Sequence, residues 1–275
     1  MSEGVDDGLL VAPGVELGEL PFLSAMTITL ISHNTYWFQG APSLWGQERT
    51  QAHPRVLHAL AALYRRLAPD VLCLQEVPSN DVATRLARDL NMQVAFAQGG
   101  ARTQYGGAVL WRGFEADAED LTRAGGGTAF ERMCLVLRGA GPEGLNIVNV
   151  HLSSNRFAPD GEGDRVRLAE LAALFASCPA PDIVVGDFNA TPGGTVYTSM
   201  AARGFVECGT QACREVVPKK RRIDYVWIRS ATRLETEPLL FEPSGFELDA
   251  DSGIQLSDHP PVAVHLTSTV LGDSP

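Results

Sequence analysis

Glu76, the tetrad Gly186-Asp187-Phe188-Asn189 and the triplet Ser257-Asp258-His259 stand at the ends of β-like runs, and Asn34 and His151 close two more. Carboxylates, amides and imidazoles delivered from separate strand ends could form one site for a hard metal ion and a phosphate. Oxygen donors suit Mg²⁺ or Mn²⁺, and the chain has neither clustered Cys nor closely spaced His pairs for a structural zinc site. Hydrolysing a phosphoester requires that its oxygens be neutralised, a water aligned opposite the leaving group and the departing alkoxide stabilised. Glu76 suits direct metal ligation, with Asn34 as a further oxygen donor and Asp258 as either another ligand or a carboxylate that supports the ligands without touching the ion. Asp187 can orient or deprotonate the water, and the Asn189 amide can donate to a nonbridging phosphoryl oxygen. Both side chains reach one side if extended geometry continues through Phe188, although Gly-Asp-x-Asn is equally ordinary turn chemistry. His259 can contact the phosphate or its water, with Asp224 holding its tautomer, and His151 can face the opposite side of the phosphate.

These residues need strands to carry them. Thr27 to Ser32 is a β-branched run leading to Asn34, and Val71 to Gln75 is an apolar strand that ends at Glu76. Between them, His53 to Leu67 reads as a helix, with Pro54 in its first turn and Val56, Leu60, Leu63 and Leu67 on one face. Val82, Leu86 and Leu90 mark a second helix capped by Ser79. Strands are expected at Val94 to Ala97, Ala108 to Trp111, Met133 to Leu137 and Leu145 to His151, then a helix from Arg165 to Ala176. Ile183 to Val185 leads into Asp187; a helix over Thr195 to Ala202 and strands at Ile223 to Ile228 and Val262 to Leu266 complete the pattern. The glycine-rich stretches Gly125 to Gly127 and Ala158 to Asp164 read as surface loops, since neither joins a strand to a helix as a phosphate-cradling loop does.

The chain has 275 residues and is 45% hydrophobic, enough for a substantial core. Because the candidate ligands run from residue 34 to residue 259, one catalytic domain over 27–268 is expected, between an N-terminal extension (1–26) and a short tail (269–275). A net charge of −11 works against tight nonspecific binding to duplex nucleic acid but does not exclude a nuclease. The 5 cysteines, irregularly spaced at 73, 134, 178, 208 and 213, fit packing roles in a reducing compartment. The first 25 residues contain no Lys or Arg and no sustained apolar run, so the reading is cytoplasmic, with no membrane span and no protein partner.

Taken in order, the motifs resemble those of the endonuclease/exonuclease/phosphatase superfamily, which includes pancreatic-type deoxyribonucleases, abasic-site endonucleases, deadenylase-like nucleases, inositol polyphosphate 5-phosphatases and neutral sphingomyelinases. Asn34 matches the first-strand Asn, Leu74-Gln75-Glu76-Val77 the metal Glu, and His151-Leu152 the catalytic His motif. Asp187 and Asn189 match Gly-Asp-x-Asn, Asp224 in Arg222-Ile223-Asp224-Tyr225 the His-supporting Asp, and Asp258-His259 the terminal Ser-Asp-His motif. Arg132 is similar to an Arg that several members set against the phosphate. The resemblance implies an α/β fold, a four-layer α/β/β/α sandwich with two mixed β-sheets face to face. It also implies in-line attack by water, with Asp187 and His259 handling the nucleophile and Glu76 holding the ion. Two departures stand out: Tyr36 replaces the acid of abasic-site endonucleases, and His33 precedes Asn34 where an aromatic is common.

Tyr36, Trp37, Phe38 and Trp45 cluster after Asn34; Trp37 could stack on a base or line a lipid or sugar pocket, and packing of the long loop explains the cluster equally. Lys219, Lys220, Arg221 and Arg222 form the one dense basic run, able to guide a polyanion or to sit as a solvated loop. The favoured substrate is therefore a DNA or RNA phosphodiester. The alternative is a small or lipid phosphoester of inositol phosphate or sphingomyelin type.

Overall fold

The computed structural model describes residues 26–124, 130–156, 162–208, 222–240, 243–250 and 252–268. The first half gives β1 (Thr27–Asn34), α1 (Pro54–Leu67), β2 (Val71–Val77), α2 (Asn80–Leu90), β3 (Gln93–Ala97), β4 (Gly106–Trp111), β5 (Asp117–Asp120), β6 (Met133–Ala140) and β7 (Leu145–His151). The second gives α3 (Gly163–Ser177), β8 (Ile183–Asp187), α4 (Thr195–Ala202), β9 (Phe205–Cys208), β10 (Asp224–Arg229), β11 (Leu234–Pro238) and β12 (Val262–Ser268).

The strands form two six-stranded mixed sheets, ordered β11-β12-β1-β2-β4-β3 and β5-β6-β7-β8-β10-β9. Each sheet has a single parallel pair, β1 with β2 and β7 with β8, and all its other pairs are antiparallel. Parallel neighbours need a crossover. Helix α1 supplies one and α3 the other. Pro54 occupies the first turn of α1, and the His53 ring accepts from the Arg55 N–H at 3.3 Å. Ser79 caps α2 by accepting from the Val82 N–H at 3.3 Å.

Side-chain alternation sorts the strands into layers. In β2, Val71 and Cys73 enter the inter-sheet core, whereas Leu72 and Leu74 pack beneath α1 and α2. In β8, Ile183 and Val185 face the other sheet while Val184 lies against the layer of α3 and α4. The architecture is thus the expected four-layer α/β/β/α sandwich. Cys73, Cys134 and Cys178 are free and buried, as packing residues should be, and Cys213 lies outside the described residues.

Three strands escaped the sequence reading. β5, β9 and β11 are sheet-edge strands of four or five residues. Segments such as Asp117–Asp120, exposed throughout, show no apolar alternation because only one side is paired. Of the two expected surface loops, Gly125 to Gly127 and residues 158–161 lie outside the described residues, whereas Gly163 and Asp164 form the first turn of α3 instead.

Continuing the same alternation toward the carboxyl ends of the parallel pairs puts polar residues between the sheets. The Gln75 side-chain amide on β2 donates to Asn149 Oδ1 on β7 at 2.7 Å and to the Ser32 hydroxyl at 3.2 Å. The Asn149 amide nitrogen in turn donates to the backbone oxygens of Leu74 and Ala108, each at 3.1 Å. This bridge locks the two sheets in register immediately below the site. Asn149→Ala is expected to cost about 2 kcal/mol, because it strands buried partners on both sheets, and urea denaturation measures the loss.

Candidate active site

One step beyond the Gln75–Asn149 bridge, alternation delivers Asn34, His151, Asp187 and Asp224 into the inter-sheet layer from β1, β7, β8 and β10. Their strands are held in register by His151 paired with Asp187 and Asp224 paired with Asp187. Gly186 is required beside them: its φ is +133°, and a Cβ there would lie 1.9 Å from the Val150 carbonyl oxygen.

Glu76 arrives differently. Alternation would send it under α1, but β2 bulges between Gln75 and Val77, and Glu76 takes a left-handed φ of +55°. The inserted residue turns the carboxylate toward the cleft and returns Val77 to the helix-side core. The Thr35 hydroxyl pins the bulge with bonds of 3.0 Å to the carbonyls of Gln75 and Glu76.

The resulting cleft, of about 100 Å³, is lined by Glu76, Asp187 and Asp258, by Arg132 and Arg156, and by His259, Asn189, Ser154 and the aromatics Tyr36, Trp37 and Tyr105. The Asp187 carboxylate is the hub. Its Oδ2 accepts from the Asn34 amide at 3.1 Å and stands 3.2 Å from His151 Nε2, while its Oδ1 accepts from the Asn189 N–H at 2.8 Å. Asn189 has φ +48°, so Gly-Asp-x-Asn is both a turn and part of the cleft; its amide also donates to the Leu152 carbonyl at 2.9 Å. His259 Nδ1 bonds Asp224 Oδ2 at 2.8 Å, and its Nε2 lies 3.9 Å from Asp258 Oδ1. Ser257 fixes this loop by donating to the Asn34 carbonyl at 2.7 Å and accepting from the His259 N–H at 3.2 Å.

Several expected positions are refined. Asn34 is buried, its amide oxygen accepting from the Tyr36 N–H at 3.1 Å while its nitrogen holds Asp187, so it stands behind the cleft. His151 is fully buried as well; it sits behind Asp187 and against Arg132 instead of on the phosphate-facing surface. Trp37 touches the lining but is only 2% exposed, with its indole N–H donating to the Gln104 carbonyl at 2.8 Å, so its ring packs and the neighbouring Tyr36 offers the more open face. Lys219, Lys220 and Arg221 lie outside the described residues; Arg222 pairs with Glu207, with one contact at 2.9 Å. Tyr105, Ser154 and Arg156 were not singled out from sequence. Ser154 and Arg156 lie within four residues after His151-Leu152, and that proximity was the available signal.

Electrostatics divides the labour. Burial pushes Glu76 up to about 7, with Arg132 opposing and Asp258 reinforcing the shift. Burial and then the neighbouring Asp224 raise Asp187 to about 6. Burial, Arg132 and His259 drive His151 well below its ordinary value, so it is neutral. Burial alone would depress His259, but Asp224, Asp258 and Asp187 outweigh it and lift the imidazole to about 10. A divalent cation fits this arrangement. The donors are hard oxygens, and Glu76 is held far above an ordinary carboxylate, a cost that positive charge would remove. The ligand atoms of Asp187, Asp224 and His259 also lie within 4.8 Å of one another, although His259 Nδ1 is engaged with Asp224.

The sandwich and this end of it define a class, the phosphoester hydrolases built on two face-to-face mixed sheets. The chain belongs to the Endonuclease/Exonuclease/phosphatase family, whose model matches residues 31–259. Its structure is similar to ANGEL2, a 2′,3′-cyclic phosphatase, with TM-score 0.64 and 14% identity over 90% of this chain and 97% of that one. It is also similar to a functionally unknown conserved protein from Enterococcus faecalis (0.61, 17%, 88% and 100%) and to truncated TDP2 of Caenorhabditis elegans (0.58, 18%, 88% and 98%). At these identities the likeness is one of fold. No curated protein matches the chain. No helix among the described residues is long and apolar enough to cross a membrane.

Proposed function

We propose that the protein is a Mg²⁺- or Mn²⁺-dependent phosphodiesterase acting on DNA or RNA, with 27–268 as its catalytic unit. The observation that supports this best is the convergence, in one cleft, of the carboxylates Glu76, Asp187 and Asp258 with the cations Arg132 and His259. Glu76 and Asp258 would hold the ion, with Asn34 behind them fixing the Asp187 carboxylate. When bound, it supplies positive charge to the phosphoryl oxygens.

The chain's own groups do the rest. At neutral pH Asp187 is ionised, oriented by Asn34 and the Asn189 N–H, and able to take a proton from the attacking water. His259 is an imidazolium held through Nδ1 by Asp224; Nε2 donates to a phosphoryl oxygen as negative charge builds. The Asn189 amide keeps a second N–H for a nonbridging oxygen, and Arg132, whose Nε is buried without a protein partner, supplies charge 3.9 Å from Glu76. Neutral His151 accepts from Arg132 at Nε2 and packs behind Asp187.

Tyr36 and Arg156 at the cleft favour a substrate with a ring and a phosphate. Tyr36→Ala is expected to raise KM for an oligonucleotide about tenfold and to leave KM for bis(4-nitrophenyl) phosphate within about twofold. Steady-state kinetics on the two substrates checks this.

The second reading, a small or lipid phosphoester, is favoured by the modest cleft and the net charge of −11. A panel of DNA, RNA, inositol phosphates, sphingomyelin and simple esters, each with Mg²⁺, Mn²⁺ or chelator, separates the two. Polynucleotide cleavage weakened by neutralising Lys219, Lys220, Arg221 and Arg222 selects the nuclease; small-ester turnover without nuclease activity selects the alternative.

A further inference from the structure

Helix α3 buries two charges that the chemistry above leaves unused. Arg167 and Glu170 are 3% and 1% exposed. Glu170 reaches two separate loops at once. Its Oε1 accepts from the Glu131 N–H at 3.0 Å and the Ser153 hydroxyl at 2.6 Å, and its Oε2 accepts from the Ser153 N–H at 2.9 Å. Arg167 Nη1 donates to the Ser153 carbonyl at 2.9 Å and to Asn155 Oδ1 at 2.8 Å, while Nη2 is held by Asp164 at 2.6 Å. The first loop runs straight into Arg132, and the second leaves His151 and brings Ser154 and Arg156 to the cleft.

Burying a carboxylate and a guanidinium is costly, and such groups often stabilise a fold no better than apolar replacements of the same size. What these two provide is a fixed separation between two loops that lie far apart in sequence. We propose that Glu170 and Arg167 are positioning residues for phosphoryl recognition. From beneath the sheet they set the Arg132 backbone against the loop after β7, so an entering anion meets both walls preformed. The Arg132 side chain completes the alignment by lying over the Tyr105 ring, 4.2 Å from its centroid. The inference rests on the phosphoesterase reading and adds to it the residues that set the cleft's width.

Glu170→Gln is a selective probe. A carboxylate can accept from both backbone N–H groups, whereas an amide must turn a donor toward one of them and release that loop. The readouts are calorimetric binding of inorganic phosphate in Mn²⁺ and hydrolysis of bis(4-nitrophenyl) phosphate. Glu170→Gln is expected to weaken phosphate binding about tenfold, Arg132→Ala to weaken it about tenfold, and the double variant to lose no more than about twofold beyond Arg132→Ala alone. A purely structural role would instead make the losses multiply, and that result, or unchanged phosphate binding in Glu170→Gln, overturns the inference. If Glu170→Gln does not fold, Ser153→Ala removes one bond of the set and is expected to show about a threefold loss that vanishes in the Arg132→Ala background. A wild-type protein that neither binds phosphate nor hydrolyses the ester overturns the phosphoesterase reading and the inference with it. A wild-type protein that does both, with multiplying losses, overturns the inference alone.

Discussion

His259→Ala is expected to lower turnover by at least about a hundredfold, the usual contribution of a positioned acid–base group. The imidazole lies in the cleft with Nδ1 tied to Asp224 and three carboxylates raising its basicity to about 10, so its loss removes a cation aimed at the substrate. The fold should survive, because Ser257 anchors the loop to the Asn34 carbonyl through its own side chain. Asp187→Ala is expected to cost at least as much, since that carboxylate collects Asn34, His151 and Asn189. Asp224→Ala should add little once His259 is gone, because Asp224 acts through the ring. Single-turnover rates for the variants, beside circular dichroism, provide the check, and near-normal metal-dependent turnover in His259→Ala or Asp187→Ala would refute that residue's role.

Divalent-ion uptake is expected to weaken on the order of a hundredfold between pH 7.5 and pH 5.5. The sign follows from competition with protons. Glu76 is raised to about 7 and Asp187 to about 6, so above pH 7 both are ionised and neither opposes the cation. Below 7 a proton must first leave Glu76, costing about tenfold in affinity per pH unit, and below 6 Asp187 adds to the slope. Glu76→Gln should flatten the dependence and cut uptake at neutral pH. Titration calorimetry with Mn²⁺ at several pH values measures both. A pH-independent affinity in the wild-type protein would show that the ion, if bound, sits elsewhere.

Most of this site was readable because strand alternation is a local property. Once Val185 faces the other sheet, so must Asp187; the same parity carries His151 from Ile147 and Asp224 from Val226. Parity could not reveal Glu76's direction, because a bulge depends on pairing with β4 and leaves no mark in Leu-Gln-Glu-Val. Nor could it place His151 behind Arg132, since depth within a layer is set by contacts with other strands and loops, here Asp187 on β8 and Arg132 just before β6. The edge strand β5 was hidden for want of an apolar face. Arg167 and Glu170 were hidden for the opposite reason: on an exposed helix such residues are solvated, and only the loops folded over α3 make them interior.

A single extra residue decides whether an acid on β2 meets water or oil. Without it Glu76 would belong beneath α1 among leucines, where its charge would unfold more than it could catalyse. Grafting chemistry onto the rim of an inert sheet could follow the same recipe: lengthen one interior strand by a residue and supply a neighbouring hydroxyl, as Thr35 does, to hold the kink. Conversely, trimming such a residue should silence the rim while leaving the rest of the sandwich recognisable.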